Sequence, residues 1–326
     1  MRAIRIAEPG GPDVLRMGEV PRPEPGPSEI RVRVRAAGVN RAEILQRRGL
    51  YPAPPGWPAD VPGLEVAGEV EAVGERVTER AVGDRVMGLV GGGGYAEYVV
   101  VHEREAIRLP EPLSWEEAAA IPEVFVTAHD ALFTRGRLSL GEWVLIHAVG
   151  SGVGTAALQL ARAAGAKTLG TSRTEWKLDR ARELGLELAI QAGAEDFADA
   201  VLDATGGRGA DLILDLVGGG YLPRNLASLA TLGRIVVVGL TAGAFAEIDL
   251  GVVLRKRITM VGTSLRSRPL EEKIAAVQAF ARHALPLLAD GRIQPVLDRS
   301  FPMEEAAEAH RRMEADQNFG KIVLVW

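Results

Sequence analysis

From Trp143 to Thr263 the chain sets short apolar runs between longer segments of helical pattern, a rhythm that few folds accept. The runs are "WVLIH", "AKTLGT", "LELAI", "DLILDLV", "RIVVVGL" and "RITMVGT", separated by segments such as "TAALQLARAAGA" and "TEWKLDRARELG". Strands that are apolar on both sides need helices over both faces, which means a parallel sheet joined by crossover helices. The expected class is therefore α/β, with a doubly wound parallel six-stranded sheet. Its first strand flows into "HAVGSGVG" and then a helix. Glycines at such a turn let backbone N–H groups and the positive end of the helix face an anion, the geometry that cradles a dinucleotide diphosphate. An ordinary turn, in which glycine only relieves strain, would read the same way. The place of the loop, after the first strand of the unit, favours the cofactor.

The next strand bears on which dinucleotide. An NAD enzyme usually carries Asp or Glu at the tip of its second strand, roughly 20 residues on, for the ribose 2′-hydroxyl. Here "AKTLGT" is followed by Ser172, Arg173, Thr174, Glu175, Trp176 and Lys177. A hydroxyl at Ser172 and cations at Arg173 and Lys177 suit a 2′-phosphate, so NADPH is the expected cofactor. Glu175 is a counter-signal, since it could face the ribose. Both cations also read as plain exposed helix charges.

The first 120 or so residues are of another kind. "IRVRVRA" alternates strictly, Ile30, Val32 and Val34 on one face and Arg31, Arg33 and Arg35 on the other, as in an antiparallel strand with one wet face. "VAGEVEAVG" and "AEYVVV" continue the pattern between the turn-rich pieces "PRPEPGPSE" and "YPAPPGWPADVPG". After about Arg266 a long helix, a strand near "QPVLDRS", another helix and the strand "KIVLVW" leave the regular alternation. They are expected to return to the N-terminal domain.

A length of 326 residues suggests about two domains. The net charge of −5 argues against a nucleic-acid partner. No leader pattern and no apolar run near the roughly 20 residues of a membrane span are present, so a soluble, cytoplasmic protein is expected. With no cysteine, disulfides, thiolate catalysis and Cys-ligated zinc are excluded. The histidines, at 102, 129, 147, 283 and 310, show no ligand spacing, and no metal is expected.

The stretches "GVNRAEILQRRGLYPAPPG", "PGLEVAGEV", "GDRVMGLVGGGGYAEYVVV", "LSWEEAAAIPEVFVTAHDAL" and "VLIHAVGSGVGTAALQLARAAGA" stand in the order found in zinc-free quinone oxidoreductases of the medium-chain dehydrogenase/reductase superfamily. "LILDLVGG", "TSLRSRP" and "NFGKIVL" are similar to that family too, and a Tyr after the "NRAE" helix resembles its tumour-suppressor-inducible branch. The resemblance spans essentially the whole chain. It implies a GroES-like β-rich catalytic domain (1–124 and 266–326), a Rossmann domain (125–265) and an active site in the cleft between them. A homodimer through edge strands of the cofactor domain is the family expectation.

The resemblance also recasts the loop as the family's A-x-x-G-x-x-G, read here at Ala148, Ser151 and Gly154, with Gly150, Gly152 and Val153 where backbone nears phosphate. It implies cofactor contacts by Asn40 and Thr127, beside Ser172, Arg173 and Lys177 at the second strand's tip. Gly218, Gly239 and Leu240, at the ends of the fourth and fifth strands, fit the crevice where open α/β sheets bind ligands. Ser264, Leu265 and Arg266 would line the far side of the nicotinamide, and Asn318, Gly320 and Lys321 would return to the phosphates. Each could equally be a turn or cap residue. Zinc-dependent relatives carry Cys where this chain has Asn40, and a His–Glu pair where it has Leu64 and Glu65. Many relatives end the third strand in Asn–Tyr, where Gln191 and Ala192 stand here.

With neither metal nor thiol, the nicotinamide would carry the chemistry, the protein supplying orientation and hydrogen bonds. A quinone suits such a site, being electrophilic and forming a product anion that its own ring stabilises. The resemblance places Asn40 and Tyr51 at the substrate as catalytic residues. Asn40 would donate to a carbonyl oxygen, or cap the "RAEILQRR" helix; Tyr51 would donate or stack, or pack under the proline-rich loop. The leading expectation is an NADPH:quinone reductase acting on a small molecule. Alternatives are a reductase of activated C=C bonds in enones or enals, and a crystallin-like structural or RNA-binding nucleotide-binding protein.

Overall fold

A computed structural model describes residues 1–194 and 196–326. The chain divides into two compact units, Met1–Val126 with Leu265–Trp326, and Thr127–Ser264.

The second unit is the parallel sheet. Its six strands are Trp143–Ile146, Lys167–Ser172, Leu188–Gln191, Ala210–Asp215, Leu229–Val237 and Thr259–Gly262. All five pairings are parallel, and in space the order is third, second, first, fourth, fifth, sixth. That is the Rossmann order, with its switch point between the first and fourth strands. Leu145, Leu169, Ile190, Ile213 and Ile235, one from each of five strands, meet Phe197, Val201 and Leu226 in a buried cluster. The first five apolar runs therefore each give a buried side chain to this cluster, whereas the sixth, Thr259–Gly262, is largely exposed at the edge of the sheet.

The first unit is built on Glu29–Val39, which pairs antiparallel with Glu65–Val73, Tyr98–His102 and Lys321–Val325. Arg85–Leu89, Ala106–Arg108 and Leu297–Pro302 extend this sheet, and Arg2–Ile6 pairs with Leu15–Glu19 in a small sheet of its own. Ile30, Val32 and Val34 face the core, as the alternation requires. The opposite face departs from it. Arg31 is buried, because Glu24, Glu71 and the Pro23 carbonyl close over its guanidinium. Beyond residue 265 come the helix Leu270–Ala289, the strand Leu297–Pro302, the helix Ala306–Glu314 and the strand Lys321–Val325, all in this first unit.

Candidate functional site

In the parallel-sheet unit the loop after the first strand is held tightly. Ala148 takes a left-handed φ of 48°, which turns the chain at the strand end. Ser151 caps the helix Gly152–Ala163, its hydroxyl accepting the Gly154 N–H at 3.1 Å. A Cβ on Gly154 would lie 2.5 Å from the Ala148 carbonyl oxygen and 2.7 Å from Val149. Only glycine fits there, and the close approach brings the start of the helix onto the strand end. No acid stands in the helix's first turn. Gly150 is buried, and Gly152 and Val153 open the helix. These residues fit a dinucleotide diphosphate, which would meet N–H groups at the helix start.

At the tip of the second strand Ser172 is buried and its hydroxyl accepts the Thr174 N–H. Arg173 is exposed, and Lys177 lies half-buried with its ammonium 5.3 Å from the Trp176 ring. Glu175 is turned along its helix to Arg182, which donates to it at 3.0 Å and thus holds it away from a ribose contact. At the third strand's end, Ala192 follows Gln191 and donates its N–H to the Ser172 carbonyl.

Beneath these loops lies a buried polar chain. His147 Nε2 is 2.7 Å from Asn225 Oδ1 and His147 Nδ1 is 2.8 Å from Thr171 Oγ1. The Asn225 amide donates to Asp215 Oδ2, so its Oδ1 must accept, and His147 carries its proton on Nε2. Burial lowers the His147 pKa, in keeping with a neutral ring. The other Asp215 oxygen accepts the backbone N–H groups of Val217 and Gly218. The chain thereby fixes the loops after the first and fourth strands to one another. Gly218, at φ 67°, would place a Cβ 2.8 Å from Leu240, and one on Gly239 would lie 2.7 Å from the Leu216 carbonyl oxygen. The loops after the fourth and fifth strands thus pack backbone to backbone, with Leu240 exposed above them.

The β-rich unit has a different polar centre. Asn40, 9% exposed, donates from Nδ2 to Glu65 Oε1 at 2.9 Å and to Glu43 Oε1 at 3.2 Å. Lys321, 3% exposed, donates to Asn40 Oδ1, the Val39 carbonyl and Glu65 Oε1 at 2.6–2.7 Å. Glu43 also accepts the N–H groups of Asn40 and Leu64, and Glu65 Oε2 accepts that of Glu123. Burial first, and then the neighbouring Glu65, push Glu43 up to about 7 against the pull of Lys321 and the Asn40 amide. Both amide protons of Asn40 are committed, which leaves none for a substrate carbonyl. All three ammonium protons of Lys321 are committed too, because buried carboxylates require a counter-charge.

Arg266 is likewise turned inward. It donates to the Gly91 carbonyl, the Tyr51 carbonyl and Gln46 Oε1, and its guanidinium carbon lies 5.1 Å from the Tyr51 ring centroid. Its side chain therefore supports Tyr51. Tyr51 is half-buried and its hydroxyl has no partner among the described residues. Thr127 and Leu265 are buried and Ser264 is exposed. The Asn318 amide donates to the Gly320 carbonyl, and Gly320, at φ 79°, would set a Cβ 2.2 Å from the Val296 carbonyl oxygen. Those two shape the turn that delivers Lys321.

The sequence reading missed two acids. Glu43 had a signal, the Asn-x-x-Glu spacing of a helix start, and its carboxylate does accept the Asn40 N–H. Glu123 had none. No three His, Cys, Asp or Glu side chains group so as to hold a metal among the described residues.

A β-rich unit and a Rossmann sheet with a phosphate-ready loop define an oxidoreductase of the medium-chain dehydrogenase/reductase superfamily. The alcohol dehydrogenase GroES-like domain profile matches residues 26–111 and the zinc-binding dehydrogenase profile residues 152–282. The chain is 36% identical to a quinone oxidoreductase of Pseudomonas aeruginosa, over 99% of each. The structure of Escherichia coli quinone oxidoreductase complexed with NADPH superposes with a TM-score of 0.91 at 30% identity, covering 100% of both chains. That of the CurK enoyl reductase does so with 0.88 at 28% identity, covering 99% of this chain and 98% of the other. The chain belongs to the quinone oxidoreductase family.

Proposed function

We propose that the chain is an NADPH-dependent quinone reductase in which Tyr51 faces the substrate. The observation that carries the reading is the cofactor loop Ala148–Gly154 beside a strand tip whose one acid, Glu175, is turned away to Arg182. The quinone comes from the activity that the relatives' names record. When bound, NADPH supplies the hydride. Ser151 and Gly154 set the helix start for the diphosphate, and Ser172, Arg173 and Lys177 receive the 2′-phosphate. Thr127, Gly218, Gly239, Leu240, Ser264 and Leu265 complete the cofactor's surroundings. Reduction of an activated C=C bond is the second reading, favoured by the CurK neighbour, and requires the same hydride geometry. A steady-state assay of NADPH and NADH against ortho- and para-quinones and a small enone tests both. Turnover of quinones with NADPH preferred is expected; no turnover of any of them overturns the reading.

The assembly belongs to the same proposal. Thr259–Gly262 is an edge strand with Met260 51% exposed, and near it in sequence Leu250, Leu254 (78% exposed) and Phe245 (94% exposed) stand in solvent. An open apolar edge of this kind suits a second copy of the chain. Light scattering should give a dimer that Leu254→Glu dissociates, and a monomeric wild type overturns it. A cytoplasmic location, where NADPH is at hand, completes the reading and is tested by fractionation. Among the described residues no helix is long and apolar enough to cross a membrane.

A further inference from the structure

We propose that Glu123 delivers the proton that completes quinone reduction. This rests on the quinone reductase reading above. A hydride adds two electrons and one hydrogen to a quinone and leaves a hydroquinone monoanion, so one proton must follow. The surrounding groups of the β-rich unit are poor sources. The protons of Asn40 and Lys321 are committed in the buried knot, and the Glu43 carboxyl is sealed inside it. A guanidinium such as that of Arg266 does not release its protons, and a phenol such as that of Tyr51 is no stronger an acid than the hydroquinone it would serve.

Glu123 differs from all of them. It lies in the first turn of the helix Pro122–His129, four residues before Thr127 and so on the same helix face. It is half-buried, and its carboxyl takes no hydrogen bond from any described residue, while its backbone N–H is anchored on Glu65 Oε2 at 2.8 Å. The charged groups that act on it are the carboxylates of Glu65 and Glu43, the ammonium of Lys321 and the guanidinium of Arg266. Arg266, whose guanidinium is held against Tyr51, Gln46 and Gly91, is one of the charges that act on the Glu123 carboxyl. A helix start favours an anion. Burial, and then Glu65 and Glu43, outweigh it and push Glu123 up to about 8. The carboxyl is thus protonated at neutral pH and gives up its proton more readily than a phenol, whose ordinary pKa is about 10.

The step is balanced. The acid O–H bond of Glu123 breaks, a phenolic O–H bond forms on the monoanion, and the carboxylate left behind takes a proton from water. In sum a quinone, NADPH and one proton give a hydroquinone and NADP⁺.

Two measurements test the assignment. In the chain without cofactor, the Glu123 carboxyl carbon, identified by its absence in Glu123→Gln, is titrated by carbon-13 NMR. A midpoint near pH 8 is expected, and one in the ordinary carboxyl range overturns the proposal without any need for a variant to be active. The quinone kcat/KM is then followed from pH 6 to 10. The wild type should fall above about pH 8, Glu123→Gln should be at least about tenfold slower at pH 7 and lose that fall, and Glu123→Asp should keep it. A Glu123→Gln enzyme with the wild-type rate and profile overturns the role of Glu123 alone. A wild type that turns over no quinone, even with Glu123 titrating near pH 8, overturns the functional reading and this role with it.

Discussion

The polar centres of the two units balance a buried carboxylate by different means. In the β-rich unit, Glu43 and Glu65 are offset by a full charge, Lys321, with Asn40 wedged between them. In the parallel-sheet unit, Asp215 is met only by dipoles: two backbone N–H groups and the Asn225 amide, backed by a neutral His147. A centre closed by a counter-ion has no lone cation to offer and ties the strands Glu29–Val39, Glu65–Val73 and Lys321–Val325 together. A centre closed by dipoles pins the loops after the first and fourth strands together beside the start of the helix Gly152–Ala163. The contrast shows Asn40 and Lys321 bound into the strand framework of the β-rich unit.

The largest expected effect breaks the first centre. Lys321→Met removes the cation and strands two buried carboxylates, at a loss of about 3–5 kcal/mol in denaturant unfolding of the β-rich unit. A loss below about 1 kcal/mol would mean the knot does not need its charge. In the second centre Asn225→Ala leaves His147 and Asp215 each short of a partner, for about 1–3 kcal/mol per group. Hydrogen exchange should then rise in the loops after the first and fourth strands, and unchanged protection there would undo the role given to this chain of bonds. Gly154→Ala drives a methyl into the Ala148 carbonyl and should weaken NADPH roughly tenfold, about 1.4 kcal/mol, by fluorescence titration. An unchanged Kd would show that the helix start can shift freely.

The smallest effect is a pH dependence that divides the two units. Glu43 is raised to about 7, so the native state keeps a proton that the unfolded chain has lost; this stability is full below about 4.5 and disappears as pH rises through 7. His310, lowered to about 3 by burial and then by Arg47, acts in reverse, contributing above about 6.5 and failing as pH falls through 3. Its ring is neutral, between Arg47 and the Tyr95 hydroxyl. Glu105 and Glu123, also raised, belong to the β-rich unit as well. Hydrogen exchange at pH 5 and pH 8 should therefore show the alkaline loosening in the β-rich unit, and equal loosening in both units would contradict this division.

What could be read in advance follows the same line. The six parallel strands and the Ile30–Val32–Val34 face are local patterns, each set by a period a few residues long, whereas the Ala148–Ser151–Gly154 register comes from the resemblance to the family. Asn40 with Glu43 was half legible, as a helix-start spacing. The Lys321–Glu65 contact joins residues 256 apart, and no local pattern encodes such a meeting. Arg31 teaches the same lesson. Alternation assigns it to water, and Glu24 and Glu71, from other segments, bury it. For Arg266, expected to line the far side of the nicotinamide, only packing shows that its guanidinium turns to Gly91, Gln46 and Tyr51.

The route of the chain through the two units has a consequence for synthesis. The parallel-sheet unit is a single stretch, 127–264, whereas the β-rich unit needs the strand Lys321–Val325 against Glu29–Val39. On the ribosome the first unit to begin is thus the last to finish: Glu43 and Glu65 must wait, solvated and unassembled, until the lysine that neutralises them has been made. A chain stopped after residue 315 should present a protease-resistant core of 127–264 and a digestible remainder. The order of manufacture is written into the position of one cation.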